Sequence, residues 1–146
     1  MQKNILYVAA LIPAITLSQP ANVVWYELPS TDPSARASDW GALREKYISE
    51  SCKPVDLSVA IQRAEGIVKQ SSLLKLETKD GPKDKSGKVH QVTLLTYAKT
   101  GSQDWELRGI QGFYRSKSKC DETLKMTVAA LDKVALKYNE SQGKYR

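Results

Sequence analysis

Cys52 and Cys120 are the only two cysteines in this 146-residue chain, and whether they are joined limits every fold it can adopt. The first residues bear on the answer. Lys3 is the only charge ahead of a largely apolar stretch from Ile5 to Leu17, 13 residues long. A membrane span needs about 20 residues. A short basic start, an apolar core of this length and small residues after it describe a secretory signal peptide, residues 1–18. Thr16 and Ser18 suit the small −3 and −1 positions of a cut before Gln19. A cut after Ala21 is the runner-up, because it would place Gln19 at −3. Pro13, Pro20 and Asn22 argue against a continuous helix reaching Trp25. The expected location is therefore secreted or periplasmic.

Export makes a disulfide the default for an even pair of cysteines in a small chain. The loop it would close holds 69 residues, counted inclusively from Cys52 to Cys120. A redox site would space its cysteines as C-x-x-C. A zinc site would need about four ligands, and two cysteines with His90, the single histidine, fall short. The sequence calls for no metal and no cofactor.

Residues 19–37 read as an N-terminal segment and linker. "ELPSTDPSARASDW" (27–40) is rich in Pro, Ser and Ala, while "NVVWYEL" (22–28) is rich in β-formers and is a candidate fourth, edge strand. A single domain is expected over 38–140, with 141–146 as a frayed tail. Trp40, Leu43 and Tyr47 share a helix face after a cap at Ser38 or Asp39. Asp56 caps a second helix whose stripe is Leu57, Ile61, Ala64 and Val68. The period then drops to two in "SLLKLETK", "VHQVTLLTYAK" and "WELRGIQGFYR". A last helix begins near Asp121 and repeats apolar residues at Leu124, Val128, Leu131, Ala135 and Tyr138. The expected fold is α+β and two-layered, ordered α-α-β-β-β-α. Its three-stranded antiparallel meander has helices on one face and one disulfide.

A two-residue turn at Gly101-Ser102 would set a register. Ala98 then opposes Trp105, Thr96 opposes Leu107, and His90 opposes Phe113. That side, with Val92 and Leu94, should meet the helices. The other side would stay open and carry Tyr97, Glu106, Arg108 and Tyr114 as candidate partner contacts, since tyrosine and arginine favour interfaces.

Net charge is +6, and the excess is lopsided. Residues 1–70 hold seven Lys/Arg and seven Asp/Glu, whereas 71–146 hold 15 and nine. "KDGPKDKSGK" and "RSKSKC" concentrate it, and a meander brings both to one end of the sheet. Lys83, Lys85, Lys88, Arg115, Lys117 and Lys119 form the candidate anion-binding rim. A basic surface suits an anionic surface or an acidic protein partner, and export disfavours nucleic acid. There is no phosphate loop, HExxH or GxSxG motif, and no nucleophile is marked around His90.

The expected function is an exported, non-enzymatic binding protein of the cell envelope or secreted fraction. A narrower form is a periplasmic inhibitor or immunity protein against a toxin or hydrolase. The alternatives are a small secreted hydrolase with an unidentified site, and a cytosolic nucleic-acid binder whose start is not a signal. Intact-mass spectrometry tests the compartment and the cysteines together. The exported protein should begin at Gln19 and weigh two hydrogens less than its reduced form. A retained Met1 with two alkylatable thiols would overturn both expectations.

Overall fold

The computed structural model describes residues 23–32 and 37–143. The expected signal peptide, its alternative cut at 21 and residues 144–146 lie outside the described residues. Eight elements follow one another: β1 (Trp25–Thr31), α1 (Ala37–Ser49), β2 (Lys53–Val55), α2 (Leu57–Val68), β3 (Leu74–Asp80), β4 (Gln91–Lys99), β5 (Trp105–Tyr114) and α3 (Lys117–Gly143). The five strands form one antiparallel sheet in the order β2-β1-β5-β4-β3. The fold is α+β, as expected, but with five strands rather than three.

The candidate fourth strand at 22–28 forms as β1, extended to Thr31 through the stretch read as linker, and β2 is the fifth. β1 is not the expected edge strand but is interior to the sheet, and pairs with β2 on one side and β5 on the other. Pro29 cannot donate to a ladder, and the β1–β5 register shifts between Leu28 and Thr31, around it.

The helices cover both faces, not one. Trp25, Val92, Leu94 and Phe113 form a buried cluster against Leu57, Ala60, Ile61 and Ala64 of α2. On the opposite face Leu28, Cys52, Tyr114 and Cys120 pack with Tyr26 and with Leu124 of α3. α1 lies against α3, where the indole N–H of Trp40 donates to Asp132 at 2.8 Å and Arg44 pairs with the same carboxylate at 3.0 Å. The result is three layers, with α2 on one side of the sheet and α1 with α3 on the other.

Local chemistry explains the helix bounds. Asp56 accepts from the backbone N–H groups of Ser58 and Val59, and so caps α2 as expected. α3 starts four residues before Asp121. Ser116 Oγ accepts from the Lys119 N–H, and the Ser116 carbonyl takes the first helical bond from Cys120. Lys117 and Lys119 in this first turn oppose the helix dipole. Their pairs with Asp121 at 2.9 Å and Glu122 at 3.0 Å offset that. The helix continues to Gly143, past the expected tail boundary.

The β4–β5 register also departs from expectation. Lys99 opposes Trp105, and Ala98 opposes Glu106. The positive φ falls on Gln103 (69°) and not on Gly101. The Thr100–Gln103 turn therefore carries one extra residue instead of closing as a two-residue hairpin. Between Tyr97 and Thr96 the register shifts again, at a bulge that holds Arg108, so that Val92 opposes Phe113 and Gln91 opposes Tyr114.

The disulfide joins Cys52, at the entry to β2, to Cys120 in the first turn of α3, with Cα atoms 5.8 Å apart. Cys52 holds a left-handed backbone (φ 53°) to reach it. Among the described residues no helix is long and apolar enough to cross a membrane. Replacing both cysteines by alanine should lower unfolding free energy by about 4 kcal/mol, read from urea midpoints, as a loop this long implies. A loss below about 1 kcal/mol would show that the bridge does not restrain the unfolded chain.

Candidate functional site

α3 spans the sheet beside a groove of about 780 Å³. Pro82, His90, Gln91 and Tyr114 form its sheet-side wall. Lys119, Glu122, Met126, Ala130 and Leu131 of α3 line the other. Its lining is largely apolar, and Met126 stands 68% exposed within it. Flexible, polarizable methionine suits surfaces that adapt to a partner.

The β3–β4 loop forms the groove's mouth and is organised around one carboxylate. Asp84 Oδ1 accepts from the backbone N–H of Ser86 at 2.8 Å, the Ser86 hydroxyl at 2.6 Å and the Lys88 N–H at 3.0 Å. Its Oδ2 lies 2.5 Å from His90 Nε2. Gly87 makes the left-handed corner (φ 81°), and Lys83 bridges to Val89 across the loop's base. Ser86, Asp84 and His90 resemble the parts of a nucleophilic triad, but their order is wrong. A triad needs histidine between hydroxyl and carboxylate, whereas here the carboxylate lies between the other two. The cluster holds a loop.

His90 is therefore exposed and precedes β4, and it does not face Phe113 as expected. The Arg115 N–H donates to the His90 carbonyl at 3.0 Å, so the β3–β4 loop and the β5–α3 junction do share one end of the sheet. The six basic residues assigned to a rim nonetheless divide. Arg115 turns away, its guanidinium 5.0 Å from the ring centroid of Trp25 in the α2-side core. Lys117 and Lys119 are committed to Asp121 and Glu122, and the hydrogen bond to Asp121 raises the Lys117 ammonium above its ordinary value. Lys83, Lys85 and Lys88 are exposed and make no ion pair among the described residues.

The four residues expected on an open sheet face do not share one. Tyr114 is buried under α3. Glu106 and Arg108 pair at 3.3 Å, but Glu106 opposes Ala98 and so lies on the α2 side. Tyr97 lies on the α3 side, where its hydroxyl donates to Glu77 at 3.3 Å. The Lys75 ammonium sits 4.8 Å from the Tyr97 ring and 5.0 Å from that of Trp105, which Lys99 also approaches at 5.6 Å. Burial and then Glu77 raise the Tyr97 phenol.

Sequence reasoning missed Met126 and Ala130 because it followed only the Leu124–Tyr138 stripe. A second apolar series, Met126, Ala130 and Val134, repeats every four residues on α3 and was the available signal. Met126 and Val134 remain more than half exposed. A separate cleft of about 450 Å³, on the α1 side, is lined by Trp40, Leu43, Tyr47, Leu131 and Val134. Compared with protein-family models, curated proteins and solved structures, the chain matches none.

The loop carboxylate gives a pH signature. The Ser86 hydroxyl first, then His90 and the Lys88 N–H, hold Asp84 far below its ordinary 3.8. The folded loop favours the charged form, so its contribution is complete above the unfolded value and drains away as pH falls below it. In the folded protein the Ser86 and Lys88 amide resonances should hold still through the ordinary carboxylate range of about pH 4 and move only well below it. Asp84→Asn should flatten that response. An unchanged titration in the variant would assign it to another acid.

Proposed function

We propose that this protein is an exported, non-enzymatic binding module that grips an acidic protein partner in the groove beside α3. The observation that carries the reading is the pairing of an apolar groove floor with three uncommitted lysines, Lys83, Lys85 and Lys88, on the loop at its mouth. A plain polyanion would use the lysines but not Met126, Ala130 and Pro82. An acidic polypeptide with an apolar face would use both. Such a segment would be steered by the lysines and held by buried apolar contact. The Asp84 cluster supports the reading, because it fixes the lysine-bearing loop without further partners.

Two observations favour binding over catalysis. Both thiols are joined. His90 is tied to Asp84, and the hydroxyl that shares this carboxylate, Ser86, bonds its other oxygen and not the imidazole. Export rests on the N-terminal sequence, and the disulfide is in keeping with it.

The probe is an amphipathic peptide with glutamates on one face and leucines on the other. It should bind more weakly as salt rises. Lys83→Glu/Lys85→Glu/Lys88→Glu should weaken it by about tenfold or more, and Met126→Glu by a similar factor. Equal binding by the triple variant overturns the reading. Anionic vesicles or poly-glutamate that bind native and Met126→Glu protein alike would replace the protein partner with an anionic surface.

A further inference from the structure

β3 is a free edge of the sheet: it pairs with β4 on one side, and no described strand lies on the other. It runs seven residues without a bulge, whereas the opposite edge, β2, has only three. An unshielded edge of this length presents a row of unpaired backbone groups to other chains.

Two ladder bonds decide which groups these are. The Lys99 N–H donates to the Leu73 carbonyl at 2.8 Å, and the Gly81 N–H to that of Gln91 at 2.7 Å. Hydrogen-bonded and non-hydrogen-bonded pairs alternate along an antiparallel ladder. The odd residues of β3 therefore bond inward to β4. Leu76, Thr78 and Asp80 turn their N–H and C=O groups outward; Leu74 turns out its C=O, while its N–H already donates to the Ser71 carbonyl at 3.3 Å.

We infer that this edge pairs with the same edge of a second copy of this chain, antiparallel about a two-fold axis through Leu76. In that register Leu76 exchanges both backbone bonds with the partner's Leu76, and the Thr78 N–H of each copy donates to the Leu74 carbonyl of the other. Lys75 then faces the partner's Glu77, again twice. The neighbouring registers are poorer. An axis at Glu77 sets Glu77 against Glu77 and Lys75 against Lys79, and one at Lys75 sets Lys75 against itself. An axis at Thr78 would pair Glu77 with Lys79 but place Leu76 opposite Asp80. Like charges directly opposed destabilise a strand pair, and opposite charges favour it.

The side chains suit this use. Leu74 and Leu76 lie on the α2 side, where Leu76 already packs on the buried core, so the two cores would run on through a ten-stranded sheet. Lys75 and Glu77 lie on the other side and are each about 40% exposed. Within the chain Lys75 pairs with Glu77 at 3.7 Å and leans inward over the rings of Tyr97 and Trp105, so meeting the partner's Glu77 requires it to swing outward across its own strand.

Sedimentation of the disulfide-bonded protein over a concentration series provides the test. The native protein should dimerise. Lys75→Glu and Glu77→Lys alone should each weaken the dimer by about tenfold or more, because each sets like charges opposed at two symmetric sites. The combined Lys75→Glu/Glu77→Lys swap should restore it. Hydrogen exchange adds a readout that folding defects do not imitate: dimerisation should newly protect the amides of Leu76 and Thr78, while Lys75, Glu77 and Lys79 are protected already. A protein that stays monomeric overturns the inference. So does a dimer insensitive to the single reversals, a swap that fails to recover it, or edge amides that exchange alike in monomer and dimer.

Discussion

Phe113 and Tyr114 are consecutive residues of β5, and both are buried. Successive side chains of a strand point to opposite faces, so this is possible only if each face of the sheet has its own cover. Phe113, with no exposed surface, sits in the cluster that α2 closes, and Tyr114 sits in the one that α3 closes. Most of the architecture follows. α2 and α3 must lie on opposite sides, and α1 must find its partner in α3. β1 must join β5, because Trp25 and Leu28 complete the two clusters from the neighbouring strand. Removing the Phe113 ring would leave a cavity costing about 3–5 kcal/mol, on the scale of a small domain's whole stability.

Periodicity was readable wherever one face of an element decides its position. The α2 stripe and its Asp56 cap stand as the sequence suggests. So do the three consecutive strands, the side shared by Val92, Leu94 and Phe113, and the disulfide pairing. The second helical layer was hidden because alternation was taken to mean one buried face. Adjacent Leu94 and Leu95 are both buried, and two neighbouring apolar residues in a strand are the mark of a sheet covered twice. The β-formers of 22–28 mark the first half of β1, but its second half and its interior position are hidden by composition, since Pro29, Ser30 and Thr31 look like linker until a strand on either side fixes them. The β4–β5 register was lost through Gln103, a non-glycine in the left-handed region that local propensity does not anticipate.

The site was legible in its topology and not in its side chains. Strand order brings the lysine-rich loop and the start of α3 to one end of the sheet, and this follows from a meander alone. Which cations remain uncommitted depends on neighbours a few ångströms away. Arg115 stacks on Trp25, and Lys119 reaches forward to Glu122. Tyr114 could be read as exposed only while the second layer was missing.

The Cys52–Cys120 bridge links the strand layer to the α3 layer at a point with almost no access from solvent. Cys120 shows no exposed surface, and Cys52 shows 7%. An incoming thiolate must approach one of the sulfurs directly. With so little surface offered, attack awaits a local opening around the bridge, such as the first turn of α3 lifting from β1 and β5. Reduction is then gated by that opening, and its rate measures how often the opening occurs. In an environment rich in small thiols, the packing of Leu28, Tyr114 and Leu124 around the sulfurs would set the lifetime of the bridge more than the reductant's strength does.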